Sequence, residues 1–232
     1  GILVDVEVQG PLGSTRPPIK AQYGFIEDAK TAIIEMASAA GITLLKDIEK
    51  NPLRTTTYGV GQMILHALNK GAKNFIITIG GSATNDCGIG MLTSLGVKFL
   101  DKDGEILEGF GEDLRDIVAI DTSGLNQNLK DVNFTVMCDV DNPLYGTTGC
   151  SYVYAPQKGA DSKTVAEMDQ WIFCFARLVQ EIYKDADSEF PGSGAAGGMG
   201  FALMTFLNGK LRPGIEVIIE AINLEEKLEG AD

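Results

Sequence analysis

Histidine is almost absent from this 232-residue chain: His66 is the only one. A Ser-His-Asp or Cys-His catalytic set therefore has one imidazole to draw on, and that residue sits within a helical pattern as a structural or surface position. Zinc ligands are equally scarce. The four cysteines, Cys87, Cys138, Cys150 and Cys174, form no C-x-x-C pair, so no zinc set assembles from neighbouring ligands. Free thiols in a reducing cytoplasm are the expectation. Positive charge is in deficit too: the formal net charge is −13. With no basic stripe to neutralise phosphates, a nucleic-acid surface is not expected. No apolar run reaches the length of a membrane-spanning helix and no secretory h-region is visible, so neither membrane nor export is expected. A Walker A loop is missing, as is any G-x-G-x-x-G placed after a strand.

What is present is an ordinary globular composition, 44% hydrophobic and 22% charged. "LVDVEVQG" and "IKAQYGFI" alternate with the period of half-buried strands, and "EDAK" after them reads as a hairpin turn. "TAIIEMA" reads as a third strand, with a helix as the alternative. From Thr57 to Lys70, Val60, Met63, Ile64, Ala67 and Leu68 share one helical face, with Thr55, Thr56 or Thr57 as N-cap and Gly71 closing the helix. "NFIITI" and "NFTVMCDV" are short apolar runs suited to buried strands. "GMLTSLG" suits a short helix and "VKFLDKDGEIL" a hairpin around "KDG". Ser162–Lys184 reads as a long core-packed helix through Val165, Met168, Ile172, Phe175, Val179 and Ile182. One or two further helices follow Pro213. The sum is a single α/β domain over residues 1–232, a mixed sheet with flanking helices. The chain begins at Gly1 and enters a strand pattern at once, so an excised domain or fragment is expected.

Chemistry is sought in the polar, glycine-rich loops that follow apolar runs. In "TIGGSATNDCGIG", Gly80 and Gly81 permit a sharp turn and close approach to a ligand. Ser82, Thr84 and Asn85 supply donors, and a helix starting near Asp86 would add free N–H groups. The plain reading is a strand-to-helix turn with a Ser or Thr cap. "CDVDNPLYG" sets Asp139, Asp141 and Asn142 at a strand end, where open α/β sheets place ligands. These carboxylates suit Mg²⁺ or a substrate hydroxyl; the alternative is an Asx or Pro turn. Lys158 in "YAPQKGA" could neutralise a phosphate or carboxylate, although a lone loop lysine is ordinarily solvated. The glycines of "GSGAAGGMG" demand a close backbone approach, to a ligand or to another segment. Glu35, next to Ser38 in an apolar run, faces either solvent or a polar site.

Taken in order, "TAIIEMASAAG", "NPLRTTTYGVGQMI", "ITIGGSATNDCGIGMLTSLGVKFLD", "CDVDNPLYGTTGCSYVYAPQKGA" and "GSGAAGGMGFAL…LRPGIEVIIEAINLEEKL" resemble the two-domain glycerate kinase family of bacteria across essentially the whole chain. Cys87 stands where that family usually has glycine. The resemblance implies the second, inserted domain of the two-domain fold, lying between a "DSFKGS"-type segment and a "TGEG"-type segment that together form a Rossmann-like partner domain. It implies ATP-dependent phosphorylation of D-glycerate to 2- or 3-phosphoglycerate in the cleft between the domains, with ATP and Mg²⁺ as requirements and with this domain alone inactive. The loops fit that chemistry, but the resemblance does not divide the roles: Asp86, Asp139 and Asp141 are the candidate catalytic carboxylates, Asp139 and Asp141 the candidate metal ligands, and the amides around Gly80 to Asn85 could hold the substrate carboxylate or a phosphate. Gly80, Gly81, Ser82, Thr84, Asn85, Asn142, Glu35, Ser38 and Lys158 are the candidate substrate-binding residues. Two rival readings are a non-catalytic sugar-acid-binding module and a hydrolase with Ser82 as nucleophile, the latter short of a base.

Overall fold

The computed structural model describes residues 1–228. In chain order the elements are β1 (Ile2–Val8), β2 (Ile19–Ile26), β3 (Thr31–Glu35), α1 (Ala37–Ala40), α2 (Tyr58–Asn69), β4 (Asn74–Thr78), α3 (Ile89–Ser94), β5 (Lys98–Leu100), β6 (Ala119–Asp121), β7 (Asn133–Met137), α4 (Cys150–Tyr154), α5 (Ser162–Ile182), α6 (Ala195–Leu207), β8 (Lys210–Arg212), α7 (Gly214–Ala221) and α8 (Leu224–Leu228). Short 3₁₀ turns connect several of them.

Six strands form one mixed sheet in the order β1-β2-β3-β4-β7-β8, antiparallel through the first three and parallel from β3 onward. The alternation in β1 and β2 turns Val8, Ala21, Tyr23 and Phe25 inward. The apolar runs of β4 and β7 bury Phe75, Ile77, Phe134 and Val136, with Phe75 stacked on Phe134 at 4.9 Å between ring centres. Helix α2 lays Val60, Met63, Ile64 and Ala67 into the same core. Parallel register then does the positioning work. Glu35 pairs with Thr78, Thr78 with Met137, and Met137 with Arg212. Four strand ends thus lie in one row, and the loops that leave them open at the same edge of the sheet.

Four features differ from the sequence expectation. The "KDG" turn closes as expected, with Gly104 N–H donating to Asp101 O, but it leads only to a single bridge between Leu100 and Ile106. The full partner of β5 is β6, about twenty residues on. Thr57 does stand at the N-cap of α2, yet its hydroxyl does not cap that helix, because it is committed to Asp86. Helix α4 and strand β8 are too short for periodicity to announce. "TAIIE" is a strand, and the last helices follow Pro213 as expected. Among the described residues no helix is long and apolar enough to cross a membrane.

Candidate active site

At the row of strand ends lies a crevice of about 400 Å³. Its floor is the turn Gly80–Gly81–Ser82, which leaves β4. Ile79, Met137 and Val140 give it an apolar wall, Ala195 and Ala196 close one side, and Asp139, Tyr154 and Lys158 supply polar groups. A second depression of about 390 Å³ adjoins it across the same glycines and Asp139, flanked by Glu35, Thr43 and Thr78.

The floor carries unused donors. Gly81 O accepts from Ile42 N–H, and Ala83 N–H donates to Ala40 O, so the turn is pinned to α1 and the segment after it. The N–H groups of Gly80, Gly81 and Ser82 have no acceptor among the described residues. Gly81 holds φ +73, and an added Cβ at Gly80 would meet nothing within 4 Å. The turn therefore presents bare backbone to the crevice.

Lys158 is the least expected feature. It sits in a 3₁₀ turn after α4, yet it is 2% exposed. Its Nζ donates to Ser82 Oγ at 2.7 Å and to Thr84 O at 2.6 Å. It forms no ion pair among the described residues. Burial pushes its ammonium down to about 8, against the opposing pull of Cys150 and Asp86. A buried cation without a counter-ion is costly, and an arriving anion relieves that cost.

Asp139 is exposed at the end of β7, where its Oδ1 accepts from Gly214 N–H at 2.7 Å. Its Oδ2 has no protein donor among the described residues. Asn142 lies one layer out: it accepts from the Tyr154 hydroxyl at 2.5 Å and donates to Thr148 O at 2.8 Å. It thereby ties the "CDVDN" loop to α4 and orients Tyr154, which lines the crevice. Asp141 is exposed and lines neither depression, and Ser38, half-buried on α1, lines neither.

Asp86 is in a different place from the one its loop suggests. It is 0% exposed, beneath the floor, and lines neither depression. Oδ2 accepts from Thr57 N–H at 2.8 Å, Thr57 Oγ1 at 2.7 Å and Gly90 N–H at 3.4 Å, and Oδ1 accepts from Gly88 N–H at 3.2 Å. Thr57 Oγ1 in turn accepts from Met91 N–H. This carboxylate clamps the starts of α2 and α3 together, which is why it faces inward. Thr84 and Asn85 are also 0% exposed; Asn85 donates to Ser151 Oγ at 2.9 Å, while Thr84 Oγ1 and Asn85 Oδ1 have no partner among the described residues.

The glycines of "GSGAAGGMG" serve a close approach to another segment. Ala196, Gly197 and Gly198 all take left-handed conformations before α6 straightens. A Cβ at Gly197 would lie 2.3 Å from Thr84 O, and Gly197 O accepts from Cys87 N–H. Cys87 itself holds φ +49, a left-handed conformation uncommon for a residue other than glycine. The structure thus brings Glu35, Gly80, Gly81, Ser82, Asp139 and Lys158 to one edge. It also adds Tyr154, Cys138 and Ala196, which the sequence did not single out. His66 is exposed, its Nδ1 lies 2.8 Å from the Tyr23 hydroxyl, and it lines neither depression.

The sequence profile of the glycerate kinase family matches residues 1–232. The glycerate kinase of Bacillus cereus is 45% identical over 232 residues, which cover 100% of this chain and 60% of that protein. The glycerate 2-kinase of Escherichia coli K12 is 45% identical over 221 residues, 95% of this chain and 57% of that one. The crystal structure of a Salmonella typhimurium LT2 protein assigned as glycerate kinase 2 superposes with a TM-score of 0.95 at 42% identity, covering 100% of this chain and 61% of that chain. The chain therefore spans about three-fifths of the length of these relatives. With a profile match along its whole length and a fold shared with a member's crystal structure, the chain belongs to the glycerate kinase family.

Proposed function

We propose that the full-length protein transfers the terminal phosphoryl group of ATP to a hydroxyl of D-glycerate, and that this chain is the inserted domain forming one wall of the active-site cleft. The remainder of its own polypeptide supplies the other wall, a reading supported by the three-fifths coverage of its relatives. The observation that carries the proposal is the meeting, at one sheet edge, of the free Gly80–Ser82 amides, the buried Lys158 cation and the Asp139 carboxylate. Phosphoryl transfer needs positioning and charge stabilisation more than covalent help, and these groups supply both. The likeness to the Escherichia coli glycerate 2-kinase favours the 2-hydroxyl as acceptor. A cytoplasmic location accords with the use of ATP.

Mg²⁺ fits this edge in a particular way. No group of three His, Cys, Asp or Glu side chains able to hold a metal occurs among the described residues. Mg²⁺ commonly takes only one or two protein carboxylates, with substrate phosphates and water completing its shell. Asp139, with Oδ2 free, suits that role, and Glu35 shares the adjoining depression. Asp141 lines neither cavity. When bound, the ion neutralises charge on the phosphates being transferred. The chain's own part is to hold Asp139 still through Gly214 N–H and to keep the floor amides aimed at the crevice.

The test is turnover by the full-length protein with ATP, Mg²⁺ and D-glycerate, with the product identified by ³¹P NMR. Asp139→Asn is expected to lower kcat on the order of 100-fold or more, the size seen when one charge-stabilising group is lost, and to raise the Mg²⁺ concentration needed for half-activity. Failure of the wild type to phosphorylate glycerate would overturn the proposal.

A further inference from the structure

Lys158 has three N–H donors, and Ser82 Oγ and Thr84 O take two of them. The third is unspent. Because Ser82 Oγ accepts from Lys158, its own proton is free for another acceptor. Beside them stand the three unpaired amides of Gly80, Gly81 and Ser82. The positive charge here is single and buried. Asp139 lines both this crevice and the adjoining depression, while Glu35 lines only the depression and Lys158 only the crevice.

We propose that Lys158, Ser82 Oγ and the floor amides form the subsite for the carboxylate of the acceptor substrate, making this residue pair the source of selectivity for hydroxy-carboxylates over neutral polyols. This rests on the kinase reading only for the identity of the acid. A single buried cation is balanced by one negative charge, which a carboxylate brings. A polyphosphate brings several, and those would face Asp139 and Glu35 unless a metal ion stood between them. The two ends of the site are thereby divided: the acid group of the acceptor at Lys158, the metal and the transferred phosphoryl group at Asp139.

The charge state of Lys158 also sets a pH dependence. Facing it are Cys150 from α4 and Asp86 from the loop before α3, and Cys138, Asp139 and Tyr154 share the crevice. Burial lifts the Cys150 thiol to about 12 and raises Cys138 and Tyr154 as well, so these stay neutral near pH 8. Lys158, lowered to about 8, then loses its proton as the pH rises through that value, and a carboxylate is held only by the protonated form.

The experiment is calorimetric binding of D-glycerate, L-lactate, glycerol and inorganic phosphate to the full-length protein without nucleotide, from pH 6.5 to 9.5, alongside KM for ATP. Wild type, Lys158→Met and Ser82→Ala are compared. The expected result is on the order of 30-fold weaker D-glycerate binding in Lys158→Met, the loss of one charged hydrogen bond, with KM for ATP changed less than about threefold. Ser82→Ala, a smaller change that leaves the fold intact, should weaken glycerate roughly fivefold by the same bookkeeping. Wild-type affinity should fall about fivefold from pH 8 to pH 9, as the protonated fraction of a group titrating near 8 falls, and that slope should vanish in Lys158→Met. Lactate should compete and glycerol should not bind. A rise in KM for ATP in place of the glycerate effect, Lys158-dependent phosphate binding tighter than glycerate, or pH-independent glycerate binding would overturn the subsite. Lys158-dependent binding of glycerate without turnover would sink the kinase reading and leave the subsite standing; turnover with no Lys158 effect on glycerate would do the reverse.

Discussion

Replacing Asp86 by asparagine separates a clamp from a catalyst. The carboxylate is fully buried and receives three backbone N–H groups and one hydroxyl, from Thr57, Gly88 and Gly90. Deleting it in Asp86→Ala would orphan those three N–H groups at about 1–3 kcal/mol each, so a loss of about 5 kcal/mol is expected. In Asp86→Asn the amide oxygen can still serve Thr57, while the NH₂ is forced against Gly88 N–H. One bond is lost and one repulsion gained. Burial pushes the Asp86 carboxyl upward in spite of its hydrogen bonds, so the neutral amide escapes a desolvation cost that the carboxylate bears. The net is about 2 kcal/mol of destabilisation, or a fall in Tm of roughly 4–8 °C for a domain of this size. The assay is thermal unfolding of full-length Asp86→Asn beside its steady-state kinetics below the transition. A Tm lowered by several degrees, with kcat within about tenfold of wild type, is the expected pair. An unchanged Tm with kcat reduced on the order of 1000-fold, the scale of a lost charge-stabilising group, would show that Asp86 reaches the reacting atoms and would refute the clamp.

Gly197→Ala should cost folded yield outright, because its Cβ would press 2.3 Å from Thr84 O at φ +70, whereas Gly80→Ala meets no atom within 4 Å and should fold normally; equal soluble yields would contradict the packing of α6 on the 84–87 loop. Cys138 lines the crevice and donates its thiol proton to Val140 O at 3.2 Å. Iodoacetamide should therefore abolish activity, faster as pH rises because burial keeps the thiol protonated, and saturating D-glycerate should protect. Full activity after stoichiometric labelling at Cys138, established by peptide mapping, would place substrate elsewhere.

The elements that periodicity can see are the ones the sequence disclosed: the alternating β1 and β2, the apolar face of α2, and α5 with Val165, Met168, Ile172, Phe175 and Val179 all buried. What it hid depends on partners far along the chain. Lys158 reads as a solvated loop lysine because Pro156 and Gly159 flank it, and its burial is decided by Ser82 and Thr84, 76 and 74 residues away. Asp86 reads as a catalytic acid because it stands in a glycine-rich polar loop, and its inward turn is decided by Thr57, 29 residues earlier. Strand β5 finds β6 over the heads of a nearer hairpin candidate, and β8 has three residues, too few for a period to register.

Composition located the loop "GGSATND" and could not divide it. The division comes from backbone geometry: Gly81 at φ +73 sets Gly80, Gly81 and Ser82 along the crevice, while Thr84, Asn85 and Asp86 turn beneath and are sealed by Gly197 and Gly198. One half of the motif lines the crevice, and the other half is buried beneath it. Substitutions in the upper half should therefore move binding constants at near-constant stability, and those in the lower half should move stability first. That ordering is a property of the fold, set by which half of the loop is buried.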